Sequence, residues 1–244
     1  MIAALLLGRA GSVGFPGKNT VEVLGRPLME YPLLAAQGAE HVDGVYVSTD
    51  CPTIKEITKK NGANIIDRPE YLCSKAALGE DAYVHGYHYI KDLLNEEIEL
   101  LVLLFCNSAT ITSKMIDQGV EVLRADPTLD SAVSVSRYNM WSPLRARKLD
   151  ENGLLQPFVP FEVFGDPATL NCDRDSQGDV LFADMSVSIV RPRCLEKLEE
   201  GLLPQKWMGQ RIHPLLQEAG CDVDYEWQLP GVEWWLKNQK QSSK

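Results

Sequence analysis

The chain begins with an apolar run that leads directly into a glycine-rich segment. Residues 2–7 read Ile-Ala-Ala-Leu-Leu-Leu, and residues 8–19 read Gly-Arg-Ala-Gly-Ser-Val-Gly-Phe-Pro-Gly-Lys-Asn. A short apolar run bounded by turn residues is typical of a strand buried inside a parallel sheet. We therefore expect an α/β fold whose first strand ends in a glycine-rich loop.

This opening loop combines four glycines with two cations, Arg9 and Lys18. Glycine lets backbone N–H groups turn toward a ligand, and the cations place positive charge beside them. The segment matches neither G-x-G-x-x-G nor G-x-x-x-x-G-K-[ST], because Asn19 follows Lys18. A plain connecting loop is the alternative, but paired cations in an acidic chain favour a site for nucleotide phosphates.

Net charge and cysteine usage narrow the possible partners and location. The 244 residues carry a formal charge of −10, which argues against nucleic acid or an anionic membrane surface as the main partner. We expect no membrane span and no secretory signal, since the apolar runs are short and no cationic region precedes the first one. The six cysteines form no C-x-x-C pair, which favours reduced thiols in a cytoplasm and no zinc site.

Strand-like and helix-like segments alternate through the first half of the chain. This pattern predicts βαβ units and a mostly parallel sheet flanked by helices, in a single domain over residues 1–244. The predicted strands cover residues 2–7, 44–50, 63–66, 100–105, 131–135 and 180–190. The predicted helices cover residues 28–37, 52–61, 81–94 and 114–125, with a further helix that ends at 234–236.

The pattern changes between residues 138 and 177. Prolines at positions 143, 157, 160 and 167 separate short apolar pieces, which indicates an excursion from the sheet. A long surface loop is the alternative, although such loops are uncommon in compact domains unless they have a function.

Two polar positions outside the opening loop are candidates for chemistry. Asp50 follows a predicted strand, at the edge where open α/β sheets bind ligands, and an N-cap role is the alternative because Pro52 follows closely. His85 and His88 share a face of a predicted helix at i, i+3 spacing. For these histidines we favour a place on the helix surface or the core edge over a catalytic role.

The opening loop resembles the signature loop of the sugar-activating cytidylyltransferases. The similarity covers residues 7–12 and 16–19; it is closest to the CMP-N-acetylneuraminate (acylneuraminate) synthetases and weaker to the CMP-Kdo synthetases. The resemblance implies a Rossmann-like nucleotidyltransferase that joins CTP to an acidic sugar with magnesium and releases pyrophosphate. It also implies that residues 138–177 reach a second subunit and help to form a homodimer.

The same resemblance assigns the nucleotide-binding residues. Arg9 and Lys18 inherit the triphosphate contacts and are the candidate catalytic residues. Asp50 ends a V-S-T-D strand that lies beside the nucleotide in the family, and Arg68 belongs to an R-P-x-x-L segment that Ser74 follows. The predicted nucleotide-binding set is Leu7, Gly8, Arg9, Ala10, Gly11, Ser12, Lys18, Asn19, Asp50, Arg68 and Ser74.

The acceptor side departs from the family pattern. Where the acylneuraminate enzymes carry a Q-P-T-S-P-x-R-like segment, this chain has Ile111 at the place of the arginine. An arginine fork is the natural partner of a carboxylate, so its replacement argues against an ordinary sialic acid as substrate. Asn107 and Ser108 are the predicted substrate-binding residues of this segment, which also contains Thr112.

Arg174 and Asp184 keep the family's interval of ten positions between an arginine and an asparagine on the sugar side of the cleft. Both are predicted substrate-binding residues. The aspartate adds a negative charge, which can bind magnesium or a cationic group of the substrate. A hydrogen bond from a loop backbone to Asp184 is the alternative.

The family's metal-binding D-I-D-x-P-x-D segment aligns with residues 226–232, where Gln228 replaces the second acid. The predicted magnesium ligands are therefore Asp184 and Glu226. Asp222 and Asp224 can substitute if the register differs, since magnesium needs only one or two carboxylates beside phosphate oxygens and water. Packing of the segment by Trp227, Trp234 and Trp235 is the alternative without a metal.

These residues together predict a cytidylyltransferase of the EC 2.7.7 class that transfers CMP from CTP to a sialic-acid-like nonulosonic or ulosonic acid. Such a reaction depends chiefly on positioning and on neutralising charge. Three further possibilities stay open: a phosphonate or phosphorylated acceptor, another nucleoside triphosphate, and a non-catalytic nucleotide-binding homologue.

Overall fold

The computed structural model describes residues 1–11, 14–74 and 76–239. Within these ranges the strands are β1 (Ile2–Leu7), β2 (Glu22–Val23), β3 (Arg26–Pro27), β4 (Gly44–Thr49), β5 (Asn64–Asp67), β6 (Leu100–Phe105), β7 (Ser131–Arg137), β8 (Arg147–Leu149), β9 (Leu155–Pro157), β10 (Leu181–Val190) and β11 (Ile212–Gln217). The helices are α1 (Glu30–Gln37), α2 (Pro52–Lys60), α3 (Gly79–Leu94), α4 (Ser113–Ala125), the short α5 (Arg193–Glu196) and α6 (Leu229–Gln239).

Seven strands form the central sheet, in the order β11-β7-β10-β6-β1-β4-β5. Within the described ranges, β10 is the one strand of this sheet that runs antiparallel to its neighbours, β6 and β7. The predicted mostly parallel, mixed α/β sheet is therefore confirmed. The strand order reverses at β1, which has β4 on one side and β6 on the other, and such a reversal leaves a crevice at the carboxyl ends of the strands.

All six residues of β1 are buried. One face, which includes Leu6, packs into a cluster with α1 and α4, and the other face, which includes Leu5, packs against Tyr83 and Tyr87 of α3. Because side chains alternate between the faces of a strand, an uninterrupted apolar sequence is what a strand covered on both sides requires.

The predicted elements recur with ends shifted by a few residues, but the sequence pattern did not reveal β11. This strand contains Pro214, and a proline inside an apolar run argues against a strand because it cannot donate to the ladder. The fold accommodates Pro214 because β11 is an edge strand that pairs with β7 alone.

Residues 138–177 leave the sheet, as the proline pattern predicts. The segment consists of short 3₁₀ turns and a small hairpin of β8 and β9. Its surface carries several exposed apolar side chains, among them Trp141, Leu149, Leu155, Phe158 and Val163.

None of the helices in the described part of the chain is long and apolar enough to cross a membrane.

Helix α3 packs closely on β1 through a glycine. A Cβ atom at Gly86 would lie only 2.5 Å from Cδ2 of Leu5, a fully buried side chain. The absence of a side chain at position 86 therefore sets the distance between α3 and the strand that leads into the opening loop.

We expect Gly86→Ala to destabilise the protein. Overpacking against Leu5 costs about 1–3 kcal/mol, which exceeds a gain in helix propensity of up to about 1 kcal/mol. Urea unfolding should show a lower midpoint for the variant. The matched control is Gly231→Ala in α6, where an added Cβ meets no atom within 4 Å; its midpoint should stay the same or rise. Equal midpoints for Gly86→Ala and the wild type would contradict this account.

Candidate active site

A cleft of about 370 Å³ lies where the strand order reverses. The loops that follow β1 and β6, the start of α3 and the segment around Asp224 form its walls. Seven of the predicted site residues line it: Leu7, Gly8, Arg9, Lys18, Asn19, Arg68 and Asn107. The structure thus brings six of the predicted nucleotide-binding residues together at the carboxyl edge of the sheet.

Two side-chain hydrogen bonds hold the backbone of the opening loop. The Ala10 amide donates to Oδ1 of Asp50 at 3.0 Å, and Nδ2 of Asn19 donates to the carbonyl of Arg9 at 3.1 Å. An N-cap role for Asp50 is wrong, because α2 begins after Cys51 without a side-chain cap. Asp50 instead ties the loop after β1 to the end of β4. Gly11 is exposed in this loop, and Ser12 lies outside the described residues.

The loop can lie against the core only because residue 8 is a glycine. A Cβ atom there would lie 2.7 Å from Sγ of Cys106 and 2.9 Å from Cδ1 of Ile54. Burial raises the pKa of the Cys106 thiol to about 12, so this cysteine stays neutral and acts as a small apolar side chain under the loop.

The two cations of the loop are held by protein acceptors. Arg9 donates to the carbonyl oxygen of Ser74 at 2.6 Å, and Nζ of Lys18 lies 2.5 Å from Oδ1 of Asp224. Ser74 thus contacts the loop through its backbone. Both cations border the cleft, so they can exchange these partners for the oxygens of an anionic ligand.

Arg68 forms the floor of the cleft on the side of β4. Its guanidinium donates to the carbonyl oxygen of Ser48 at 2.6 Å and to the Ser48 hydroxyl at 3.2 Å. Burial lowers the pKa of this arginine from its usual value. The apolar wall beside it consists of Leu72, Ala77, Leu78, Ala82 and Phe105. A rigid donor beside an apolar wall suits a flat heterocycle with polar edges.

An acidic segment closes the opposite side of the cleft. Asn107 pairs with the backbone of Val223 in both directions at 2.9 Å, and its Nδ2 also lies 3.3 Å from Oδ2 of Asp222. Burial and the nearby Asp224 carboxylate raise the pKa of Asp222 above its usual value. The structure therefore places Asp222 and Asp224 near each other and near Lys18, and their role as alternative magnesium ligands stays a prediction.

The other predicted acceptor-side residues do not line the cleft. The Ser108 hydroxyl is buried and donates to the carbonyl of Cys221 at 3.4 Å, while Thr112 caps α4. Ile111 packs in the apolar core. Arg174 is exposed in the 138–177 segment, where it pairs with the adjacent Asp175.

The predicted metal ligands Asp184 and Glu226 do not line the cleft. Asp184 is 5% exposed and accepts hydrogen bonds from four donors, a geometry that favours a hydrogen-bonding role over metal binding. Glu226 is exposed in a 3₁₀ turn. Their metal roles stay predictions, as do the substrate roles of Ser108, Arg174 and Asp184.

The donor chemistry at Asp222 and Asp224 fits a hard divalent cation. Magnesium binds through one or two carboxylates together with substrate phosphates and water. Throughout the described ranges, no group of three or more His, Cys, Asp and Glu side chains forms a complete metal cage. Two carboxylates beside a loop that carries two cations suit magnesium better than zinc.

The paired histidines and the C-terminal tryptophans lie on helices or turns. His85 and His88 lie on α3, where His88 is exposed and His85 is partly buried, as predicted. Among the tryptophans, Trp235 is buried, whereas Trp227 and Trp234 are 73% and 52% exposed. Trp235 alone of these three therefore packs the C-terminal segment onto the core.

A family model described as cytidylyltransferase matches residues 3–150. The chain belongs to the cytidylyltransferase family. It is 44% identical over 232 residues to the N-acylneuraminate cytidylyltransferase of Oncorhynchus mykiss, a match that covers 95% of this chain and 49% of that protein. It is 30% identical over 172 residues to the CMP-N,N'-diacetyllegionaminic acid synthase of Legionella pneumophila, covering 67% of this chain and 70% of the relative.

Solved structures of cytidylyltransferases share the fold. The structure of CMP:2-keto-3-deoxy-manno-octonic acid synthetase complexed with CTP superposes with a TM-score of 0.67 at 16% identity, covering 98% of this chain and 99% of that one. The chain spans about half, or less, of the length of several curated relatives that it matches.

Asp222→Asn should raise the thermal stability of the protein at neutral pH. Because the folded-state pKa of Asp222 is raised, ionising this carboxyl destabilises the folded state. The penalty is absent below the ordinary pKa of 3.8, grows between that pH and the raised folded-state value, and stays constant above it. Asparagine keeps an oxygen for the Asn107 hydrogen bond and removes the penalty.

Melting temperatures measured from about pH 3 to pH 8 test this prediction, because this range begins below the ordinary pKa of 3.8. The advantage of the variant should shrink toward the acidic end of the range. Asp92→Asn, at an exposed position of α3, is the matched control and should melt like the wild type. A lower melting temperature for Asp222→Asn at pH 7 would show that the carboxylate stabilises the fold.

Proposed function

We propose that this protein is a cytidylyltransferase that transfers CMP from CTP to a sialic-acid-like nonulosonic or ulosonic acid and releases pyrophosphate. The observation that carries the proposal is the arrangement of charge around the opening loop. Two cations, Arg9 and Lys18, and the Asp224 carboxylate border one cleft at the reversal of strand order, and Asp222 accepts a hydrogen bond from Asn107, which lines the same cleft. A metal-assisted reaction of a triphosphate needs cations that neutralise the phosphates and carboxylates that hold the metal, close together in one site.

The triphosphate is assigned to the opening loop. Arg9 and Lys18 neutralise it, and the backbone that Asp50 and Asn19 hold presents N–H groups to it. The cytosine is assigned to the apolar wall beside Arg68, whose guanidinium supplies hydrogen-bond donors. The relatives named as cytidylyltransferases support this choice of base.

Magnesium is assigned to the edge formed by Asp222 and Asp224. There it would supply Lewis-acid charge to the phosphate oxygens. These two carboxylates lie beside Lys18, where a bound cation also relieves their mutual repulsion. Of the other predicted ligands, Asp184 already accepts hydrogen bonds from four protein donors, and Glu226 is exposed in a 3₁₀ turn.

The proposed reaction needs positioning more than covalent help from the protein. A hydroxyl oxygen of the acceptor forms a bond to the α-phosphorus while the bond from that phosphorus to the bridging oxygen breaks. Pyrophosphate leaves with the electron pair, and the hydroxyl proton passes to solvent. Arg9 and Lys18 stabilise the charge that accumulates on the leaving group.

A changed acceptor is the second candidate. Ile111 is buried in the core and contributes no guanidinium to the acceptor side. This observation favours an acid whose carboxylate is bound elsewhere, or a phosphonate or phosphorylated acceptor. The relative that is named a diacetyllegionaminic acid synthase supports a nonulosonic acid other than an ordinary sialic acid.

Pyrophosphate release tests the function. The protein should release pyrophosphate with CTP, magnesium and one member of a panel of nonulosonic acids, ulosonic acids and phosphonates, and much less with UTP, ATP or GTP. Lys18→Ala should lower turnover by about 100-fold or more, as expected when a charge that stabilises the transition state is removed.

The control for Lys18→Ala is Lys59→Ala, which changes an exposed lysine at the end of α2. Its turnover should equal that of the wild type. CTP binding without pyrophosphate release for any acceptor class would instead favour a non-catalytic nucleotide-binding homologue.

We also propose that residues 138–177 form a homodimer contact. Trp141, Leu149, Leu155, Phe158 and Val163 are 60–69% exposed, and an exposed apolar surface of this kind is typical of an interface. Because these side chains belong to one excursion from the sheet, a second copy can cover them without disturbing the core.

Leu155→Asp combined with Phe158→Asp should convert the dimer to a monomer, since burying two carboxylates in an apolar contact is costly. Light scattering after size exclusion measures the mass. Leu93→Asp, at a 59% exposed position of α3, is the control and should keep the wild-type mass. A monomeric wild type would rule out the proposed contact.

A further inference from the structure

Residues 220–225 carry the Asp222 and Asp224 carboxylates and belong to neither a helix nor a strand. This acidic segment connects the region after β11 to the 3₁₀ turn that begins at Glu226. Side chains must therefore supply much of what holds its backbone. They do so at both ends of the segment, through Asp184 on one side and Gln228 on the other.

Asp184 lies at a bulge in β10, next to Met185, which has a positive φ of 62°. Its Oδ1 accepts hydrogen bonds from Oγ of Ser134 at 2.6 Å and from the Ser186 amide at 3.1 Å. Its Oδ2 accepts from Oγ of Ser136 at 2.7 Å and from Nε2 of Gln217 at 2.9 Å. Four donors occupy the acceptor sites of an ionised carboxylate.

This buried carboxylate connects directly to the acidic segment. Ser136, which donates to Asp184, accepts a hydrogen bond from the Gly220 amide at 2.9 Å. The Gly220 backbone passes so close that an added Cβ atom would clash with Oδ2 of Asp184 and Nε2 of Gln217. Tyr138 also donates to the Gly220 carbonyl at 2.9 Å.

The hydroxyls of Thr110 and Ser186 extend the same hydrogen-bond network to Cys221, the next residue of the acidic segment. Oγ1 of Thr110 lies 2.7 Å from Oγ of Ser186 and accepts from the Cys221 amide at 2.9 Å. Gln217 reaches Oγ of Ser186 as well, at 3.0 Å. The residue immediately before Asp222 is thus connected to the residues around Asp184.

Gln228 holds the other end of the segment. Its Oε1 accepts hydrogen bonds from the Asp224 amide at 2.7 Å and the Tyr225 amide at 2.8 Å. Its Nε2 donates to the Asp222 carbonyl at 3.2 Å. A side chain that both accepts and donates is needed for this set of bonds, and a carboxylate at position 228 cannot supply the donor.

We propose that Asp184 and Gln228 are positioning residues that hold the Asp222 and Asp224 carboxylates in place at the edge of the cleft. Neither side chain binds the metal in this arrangement. The proposal rests on the proposed function for the role of these carboxylates in binding magnesium. This positioning role also explains why position 228 is a glutamine: its side-chain amide forms hydrogen bonds with three backbone groups of the acidic segment.

Gln228→Met tests one end of the segment, because methionine has a similar length but makes none of the three hydrogen bonds. We expect the magnesium concentration at half-maximal turnover to rise about tenfold, with turnover largely recovered at saturating magnesium. CTP affinity without metal should stay unchanged. Gln37→Met, which removes one hydrogen bond from an α1 side chain to the Asn61 carbonyl, is the matched control.

Ser136→Ala tests the other end and leaves the Asp184 carboxylate in place with three donors. If Asp184 positions the segment, this variant should also raise the magnesium requirement several-fold. A magnesium requirement that stays at the wild-type value would overturn the part of the proposal that concerns Asp184.

Hydrogen exchange of the metal-free, nucleotide-free protein provides a readout that does not depend on turnover. The amides of Asp224 and Tyr225 should exchange at least tenfold faster in Gln228→Met than in the wild type. The Gly220 amide should exchange at least tenfold faster in Ser136→Ala than in the wild type. Unchanged exchange in both variants would overturn the proposal. If amide exchange is faster in these variants but the wild type releases no pyrophosphate, the positioning roles of Asp184 and Gln228 stand and the proposed function is rejected.

Discussion

The burial of β1 on both faces is the constraint on which the site depends. This strand lies between β4 and β6, and its apolar side chains pack on helices on each side of the sheet. Its carboxyl end therefore opens into the crevice where the strand order reverses. Gly8 lets the chain turn there against Cys106 and Ile54, so the core itself determines where the loop's cations lie.

Charge in the cleft is balanced within the protein. Lys18 pairs with Asp224, while Arg9 is held by backbone carbonyls of residues 73 and 74. Under the proposed function, a triphosphate with a divalent cation would bring a partner of opposite sign to the cations and to the carboxylates alike, so binding would exchange one set of ion pairs for another.

Local sequence patterns were sufficient for most of the fold, and six of the residues predicted to bind nucleotide line one cleft. Apolar runs and alternating periods predict β1, β4, β6 and the helices between them, because a buried strand or an amphipathic helix leaves a short-range signal. Strand β11 was missed because Pro214 obscures that signal. On the metal side, residue type alone could not separate Glu226 from Asp224, since both are acids near the same turn.

The sequence by itself determined the class of protein. Residues 2–19 specify a buried strand, a glycine-rich turn and two cations. Because these features are close neighbours along the chain, a local sequence pattern contains all of them. Only the tertiary structure decided which acids face the cleft. Asp184 and Asp222 are 38 positions apart along the chain, and their different surroundings come from contacts with Ser134, Gln217 and Asn107. Burial and hydrogen-bond partners are set by such long-range contacts, and a local pattern does not contain them.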